Sequence, residues 1–200
     1  GKYNQSVEII KRDDRVLITA LQNPRQGVKG FKETGRSRYI TDAEFDQVKA
    51  QAHFTVIDAM DLALLTGQRP ADVLKLKRTD IRDGALWIVQ NKTGHRLGVE
   101  VTGELAAVIV RINERPRRAI SSYLIQDENG QPLTQFALRS RFDKARTLAK
   151  VDFQFRDIRA KTATDTGDLA HSQLLLGHKN REMTEHYVKS RIGERARPLR

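Results

Sequence analysis

Five short segments of this sequence carry cationic, imidazole and phenol side chains that could do chemistry. Arg69 lies in Thr66-Gly67-Gln68-Arg69-Pro70-Ala71-Asp72, at a junction just past a glycine. Asp72 comes one helical turn later and is placed to pair with the guanidinium and orient it. Lys92 stands in Asn91-Lys92-Thr93-Gly94, a hairpin turn signal, where a mobile amine can reach a ligand. Arg156-Asp157-Ile158-Arg159 opens a helical pattern, Leu176-Gly177-His178 follows an apolar stretch, and Thr184-Glu185-His186-Tyr187 puts a phenol nine residues after His178. Taken singly, each segment has an ordinary reading. Arg69 suits a helix cap, Lys92 a solvated turn, Arg159 an ion pair with Asp157 or Asp165, His178 a helix start and Tyr187 a packing position. His53, His95, His171 and His186 read as structural or solvated, and Tyr39 and Tyr123 as packing residues.

Taken in order, the five segments resemble the tyrosine recombinase family, the phage-type integrases in particular. The family pattern is an arginine in G-x-R-x-x-[DE], a lysine in a β-hairpin, H-x-x-R, L-G-H, and a tyrosine about nine residues on. The resemblance spans roughly residues 39–190. It implies a mainly α-helical catalytic domain with a small antiparallel sheet (α+β) that carries Lys92. It also implies roles. Tyr187 attacks a DNA phosphate, giving a 3′-phosphotyrosyl link and a free 5′ hydroxyl. Arg69 and Arg159 hold the non-bridging oxygens, and Lys92 is the general acid for the leaving 5′ oxygen. His178 donates to the phosphate or positions the tyrosine.

Elementary physics agrees with these roles. Negative charge builds up as a fifth oxygen approaches phosphorus, and a preorganised cationic clamp stabilises it. Arginine donates two parallel hydrogen bonds and never deprotonates. The covalent link conserves bond energy, so no cofactor, metal or ATP is expected. One departure is chemical: Arg156 stands where the family has histidine, and a guanidinium cannot act as a base. It could lower the pKa of a nearby phenol by Coulomb attraction or donate a further hydrogen bond to phosphate. A second departure is a shorter stretch between Arg159 and His178.

The resemblance further implies double-stranded DNA as partner, a tetramer on DNA for a full-length protein, and a monomer for the isolated domain. Arg38–Phe45 and Thr184–Lys189 look phage- or prophage-like, which points to integration or excision. Two rival readings remain at this point: a type IB topoisomerase-like enzyme, and a DNA-binding protein that kept the fold and lost activity.

The elements that must position these residues are legible in outline. Residues 1–40, with scattered Gly, Pro and Lys/Arg, read as an irregular arm or linker; the resemblance implies a core-binding domain ahead of the catalytic one, which this chain is expected to lack. The catalytic domain is expected over 41–190. Thr41-Asp42-Ala43-Glu44 is a capping-box signal for a helix to about Ala52. His53 to Thr66 reads as a core helix stopped by Gly67, and Pro70 to about Lys77 as the next. Ala85–Val89 and Leu97–Val101 read as two strands, followed by a helix from Gly103 to Glu114. Ser122–Gln126 reads as a short strand, Thr134–Lys150 as a long basic helix, and 157–165, 168–176 and 181–189 as short helices. Arg139, Arg141, Lys144 and Arg146 on the long helix are candidate DNA-backbone contacts. Residues 191–200 read as a basic tail.

Composition sets the class. The 200 residues carry a formal net charge of +11, which favours polyanions such as nucleic acid. There is no cysteine, so disulfides, thiol catalysis and cysteine-zinc sites are excluded within this sequence. No apolar run approaches the ~20 residues of a membrane span. A cytoplasmic protein is the expectation.

Overall fold

The computed structural model describes residues 7–12, 15–20, 38–116 and 121–192; the side chains of residues 7–20, of Tyr187 and of residues 189–192 lie outside the description. The chain divides into two units, Gly1–Arg36 and Ser37–Arg200. In the first, strands β1 (Val7–Arg12) and β2 (Arg15–Ala20) pair antiparallel, with Ile9 opposite Ile18. This corrects the expectation of an irregular arm for those residues: Val7, Ile9 and Val16-Leu17-Ile18 are β-branched or apolar enough to form a ladder.

The second unit begins with α1 (Asp42–Gln51), whose capping box is formed as the sequence predicts: Glu44 N donates to Thr41 Oγ1 at 3.2 Å and Thr41 N to Glu44 Oε2 at 3.0 Å. Helix α2 (Phe54–Thr66) is the centre of the unit and packs against α1 and against four later helices. A helix apolar on most sides belongs in a core, and Val56, Ala59, Met60, Leu62 and Ala63 are all buried. Its two buried carboxylates are neutralised from neighbouring elements. Asp58 accepts from Arg111 and Arg115, and Asp61 pairs with Arg111 and Lys49.

Gly67 ends α2 in the left-handed conformation, φ 65°. Helix α3 (Pro70–Leu74) follows, shorter than predicted because the chain turns at Lys75 toward a 3-10 turn at Arg78–Asp80. The sheet has three antiparallel strands in the order β3-β4-β5: β3 (Ile81–Arg82), β4 (Ala85–Val89) and β5 (Arg96–Glu100). Register sets Leu86 opposite Val99 and Trp87 opposite Gly98, so Leu86 and Ile88 face the core while Trp87 and Val89 face outward. Helix α4 (Gly103–Glu114) then covers α2. The short strand expected over Ser122–Gln126 is instead two isolated bridges, Lys77 with Tyr123 and Gln126 with Pro132.

Helix α5 (Gln135–Leu148) is capped by Thr134 and buries Leu138, Phe142 and Ala145. Phe142 meets Phe153 and Phe155 at ring-centroid distances of 5.5 and 5.4 Å. That aromatic cluster fixes the 3-10 turn Phe155–Asp157 and hence the start of α6 (Ile158–Asp165). Helices α7 (Leu169–Leu176) and α8 (Arg181–Ile192) complete the unit against α6. No described helix is long and apolar enough to cross a membrane.

Because Phe142 is fully buried and holds the turn that precedes Arg159, Phe142→Ala is expected to cost about 3–5 kcal/mol. Urea unfolding followed by Trp87 fluorescence measures this; an unchanged midpoint would contradict the packing described.

Candidate active site

Three of the predicted residues, Arg159, His178 and Arg69, come together around one buried guanidinium. Arg159, in the first turn of α6, is 5% exposed. Its Nη1 donates to Gly67 O at 2.5 Å, and its Nη2 donates to Leu176 O at 2.6 Å and lies 3.1 Å from His178 Nε2. One side chain thereby ties together the end of α2, the end of α7 and the loop into α8. Arg69 is half-buried two residues beyond Gly67, and its Nη1 is buried without a hydrogen-bond partner among the described residues.

His178 is 7% exposed. A guanidinium has only donors, so Nε2 is the acceptor toward Arg159, and the ring proton sits on Nδ1, which donates to Thr184 Oγ1 at 2.9 Å. Burial, and then the positive charges of Arg159 and Arg69, push its pKa down from 6.5 to about 4. The imidazole is therefore neutral at physiological pH. In this arrangement both ring nitrogens are engaged within the protein, and the Nδ1 bond ties His178 to Thr184 on α8. Residue 187 follows Thr184 by one turn of the same helix; the Tyr187 side chain itself lies outside the described residues.

Lys92 is exposed at the tip of the β4–β5 hairpin, as the sequence predicts. The hairpin is gripped from both sides. Asp72 Oδ1 accepts from Asn91 N at 2.8 Å and lies 3.4 Å from Lys75 Nζ, which also bonds Val89 O and Asn91 Oδ1. Asp72 thus holds the hairpin and, contrary to expectation, does not pair with Arg69. The reason is local. Arg69 is the N-cap of α3 with extended backbone (φ −73°, ψ 155°), so the neighbour rule for helical residues does not apply to it. On the other side, Gln90 Nε2 donates to Gln68 Oε1 and to Leu176 O, both at 2.9 Å.

The glycine of Leu176-Gly177-His178 is required twice over. Its φ is 62°, and a Cβ there would lie 2.7 Å from His95 Cδ2 and 2.9 Å from Gln90 Nε2. His95 is therefore part of the wall between hairpin and helix, although the sequence marks it as incidental. Gln68, Gln90 and Lys75 were also missed. Their only sequence signal is adjacency to Arg69 and to the hairpin turn.

Arg156 is exposed in the 3-10 turn and lines an open groove with Pro70, Gln154, Arg139 and Arg146. The four basic residues of α5 do not share one face, since positions two apart lie ~200° apart around a helix. Arg139 and Arg146 border the groove, each paired with Asp143, at 3.7 and 2.8 Å. Arg141 turns the other way and bonds Thr55 and Glu128 at 3.0 Å each. Lys144 is exposed. Of the competing tyrosines, the two described ones are engaged elsewhere: Tyr39 Oη donates to Asp165 at 2.7 Å, and Tyr123 lies under Lys77 Nζ at 5.3 Å.

The lowered pKa of His178 makes a pH prediction. Below about 6.5 the unfolded chain gains a proton that the folded site refuses until about 4, so stability falls as pH drops across that window. Melting temperatures of the protein and of His178→Gln, compared from pH 7 to pH 4, are expected to converge on acidification. Parallel curves would contradict the assignment.

Comparison with known proteins places the chain. The model of the phage integrase family matches residues 42–193. The chain is 31% identical to the prophage integrase IntE of Escherichia coli (strain K12) over 154 residues, which is 67% of this chain and 40% of IntE. It is 34% identical to the integrase of Escherichia phage HK022 over 146 residues, 66% of this chain and 41% of that protein. The chain thus spans about two fifths of the length of these curated relatives. Among solved structures, a lambda integrase (75–356) dimer bound to a COC′ core site superposes with a TM-score of 0.74 at 23% identity, covering 89% of this chain and 68% of that one. The lambda integrase catalytic core gives 0.57 at 22% identity, covering 78% of this chain and 96% of that one. With the arginines, the hairpin lysine, L-G-H and the tyrosine in the family's order, and the fold shared, this chain belongs to the phage integrase family of tyrosine recombinases.

Proposed function

We propose that this chain is the catalytic portion of a site-specific DNA recombinase that cuts and rejoins double-stranded DNA through a phosphotyrosyl intermediate. The observation that carries the reading is the convergence of Arg69 and Arg159 on His178, which is bonded to the helix bearing residue 187. Two fixed positive charges beside a tyrosine-bearing helix suit a phosphodiester in attack by phenol oxygen.

The Tyr187 oxygen attacks phosphorus and the 5′ oxygen departs with a proton from Lys92, leaving a 3′-phosphotyrosyl link. Arg69 Nη1, a buried donor without a partner among the described residues, takes one non-bridging oxygen. Arg159 supports the other and holds the frame. A 5′ hydroxyl from a second strand reverses the step and completes the exchange. Arg156 acts as an electrostatic helper at the groove edge, and the phenol proton leaves through water or another group. Arg139 and Lys144, both exposed, are the members of the α5 set best placed for DNA-backbone contact.

Assembly on DNA as a tetramer follows the same reading, since lambda integrase has been seen as a dimer on a core site and as a tetramer on a Holliday junction. Integration or excision of a phage or prophage, in a bacterial cytoplasm, is the biological setting proposed.

A nicked suicide DNA substrate tests the proposal. The chain is expected to form a covalent protein–DNA adduct, Tyr187→Phe none, and Arg159→Lys at least ~100-fold less, since a lysine cannot reproduce the forked donation of arginine. An adduct that survives Tyr187→Phe, or none with a longer form that binds DNA tightly, would overturn it. For Arg156, Arg156→His is expected to change the cleavage rate and its pH profile; identical profiles would remove Arg156 from the mechanism.

A further inference from the structure

Two buried amide side chains in the site are assigned by nothing in the five-segment pattern. Gln68 and Gln90 are each 1% exposed, and together they satisfy their hydrogen-bonding capacity in a directed chain. Thr93 Oγ1 donates to Gln90 Oε1 at 2.9 Å. Gln90 Nε2 donates to Gln68 Oε1 and to Leu176 O at 2.9 Å. Gln68 Nε2 donates to Thr66 O at 2.7 Å and to Leu175 O at 3.1 Å.

The chain begins one residue from Lys92 and ends one residue from Arg69, and it shares Leu176 O with Arg159 Nη2. Each link is directional, so the hairpin cannot slide along α7 without breaking a buried bond, and an unmade buried bond costs ~1–3 kcal/mol. An apolar pair of the same volume would fill the space but would not fix the register. The amides therefore do something that packing alone would not.

We infer that Gln68 and Gln90 are positioning residues that set Lys92 at the height of the phosphate held by Arg69 and Arg159. They touch neither substrate nor reacting atoms; they act through the hairpin. The inference rests on the proposed role of Lys92 as the proton donor to the leaving 5′ oxygen. Thr93 belongs to the same device, because its hydroxyl is the link nearest the tip. Asp72 and Lys75 hold Asn91 and Val89, and Gly94 N closes the tip onto Gln90 O at 2.9 Å.

A substrate that needs no proton on its leaving group separates this role from a structural one. With a sulfur in place of the bridging 5′ oxygen, the thiolate leaves unprotonated. Thr93→Val, which keeps shape at an exposed position, and Gln90→Leu, which keeps volume, are measured with Lys92→Ala on ordinary and 5′-thio suicide DNA. On the ordinary phosphodiester, the Thr93 and Gln90 variants are expected to cleave ~10–100-fold more slowly, short of the full loss of a general acid. On the 5′-thio substrate, all three variants are expected to come back to within a few-fold of the parent protein. Equal losses on both substrates, or no loss on either for both variants, would overturn the inference while leaving the adduct chemistry of Tyr187 standing. A parent protein that forms no adduct on either DNA would instead overturn the proposed function and the inference with it. Should Gln90→Leu fail to fold, Thr93→Val decides alone.

Discussion

The site depends on one interaction: the buried Arg159 guanidinium bonded to Gly67 O and Leu176 O. Both acceptors are at helix C-termini, where the last carbonyls have no partner within the helix and carry the negative end of the macrodipole. A guanidinium is the group best shaped to bridge them, because its donors fork in a plane. Burying a charge this deeply is costly unless it is bonded, and two carbonyls and an imidazole nitrogen meet that need. The result is a fixed cation at the meeting point of α2, α6 and α7.

The rest of the site is arranged around that cation. Burial first, and then the field of that cation added to that of Arg69, keep His178 neutral. A neutral imidazole can accept from Arg159 and donate to Thr184 at the same time, which a protonated ring could not do. The N-terminal half of α8 is thereby locked to α6 by side-chain bonds as well as by packing. The glycines at positions 67 and 177 let both helices stop abruptly in left-handed conformations, so that their carbonyls converge. A Cβ at 177 would press on the His95 and Gln90 side chains of the hairpin and force them to shift. Charge, caps and glycines are mutually dependent here, and the hairpin bearing Lys92 is registered against the same helix end by a pair of amides.

Much of this was legible in the sequence, for identifiable reasons. Capping chemistry, glycine stops and the change of hydrophobic period gave helices α1 to α8 and strands β4 and β5 with small errors at their ends, but not β3, and the strand expected over Ser122–Gln126 is two isolated bridges. The order of Arg69, Lys92, Arg159, His178 and Tyr187 pointed to the proposed site, and Arg69, Arg159 and His178 of that set lie together in the fold. What the sequence left hidden was tertiary. Asp72 looked like a partner for Arg69 because it lies one helical turn on, yet Arg69 is outside the helix and Asp72 bonds Asn91 instead. Gln68 and Gln90 carry no charge, periodicity or motif, and only the approach of hairpin to α7 gives them a task. Arg141 looked like its neighbours on α5, but helical geometry sends it toward Glu128. The pairing of β1 with β2 was missed because the flanking Gly, Pro and Lys/Arg dominated the reading.

The claim at the centre of this account is that the nucleophile is Tyr187, carried on α8 beside a clamp built on Arg159. The most direct measurement is mass spectrometry of a tryptic and nuclease digest of the covalent protein–DNA complex. The account predicts a nucleotide 3′-phosphate attached to Tyr187, in the peptide of residues 182–189. Attachment at Tyr39, Tyr123 or any hydroxyl residue outside that peptide would contradict it.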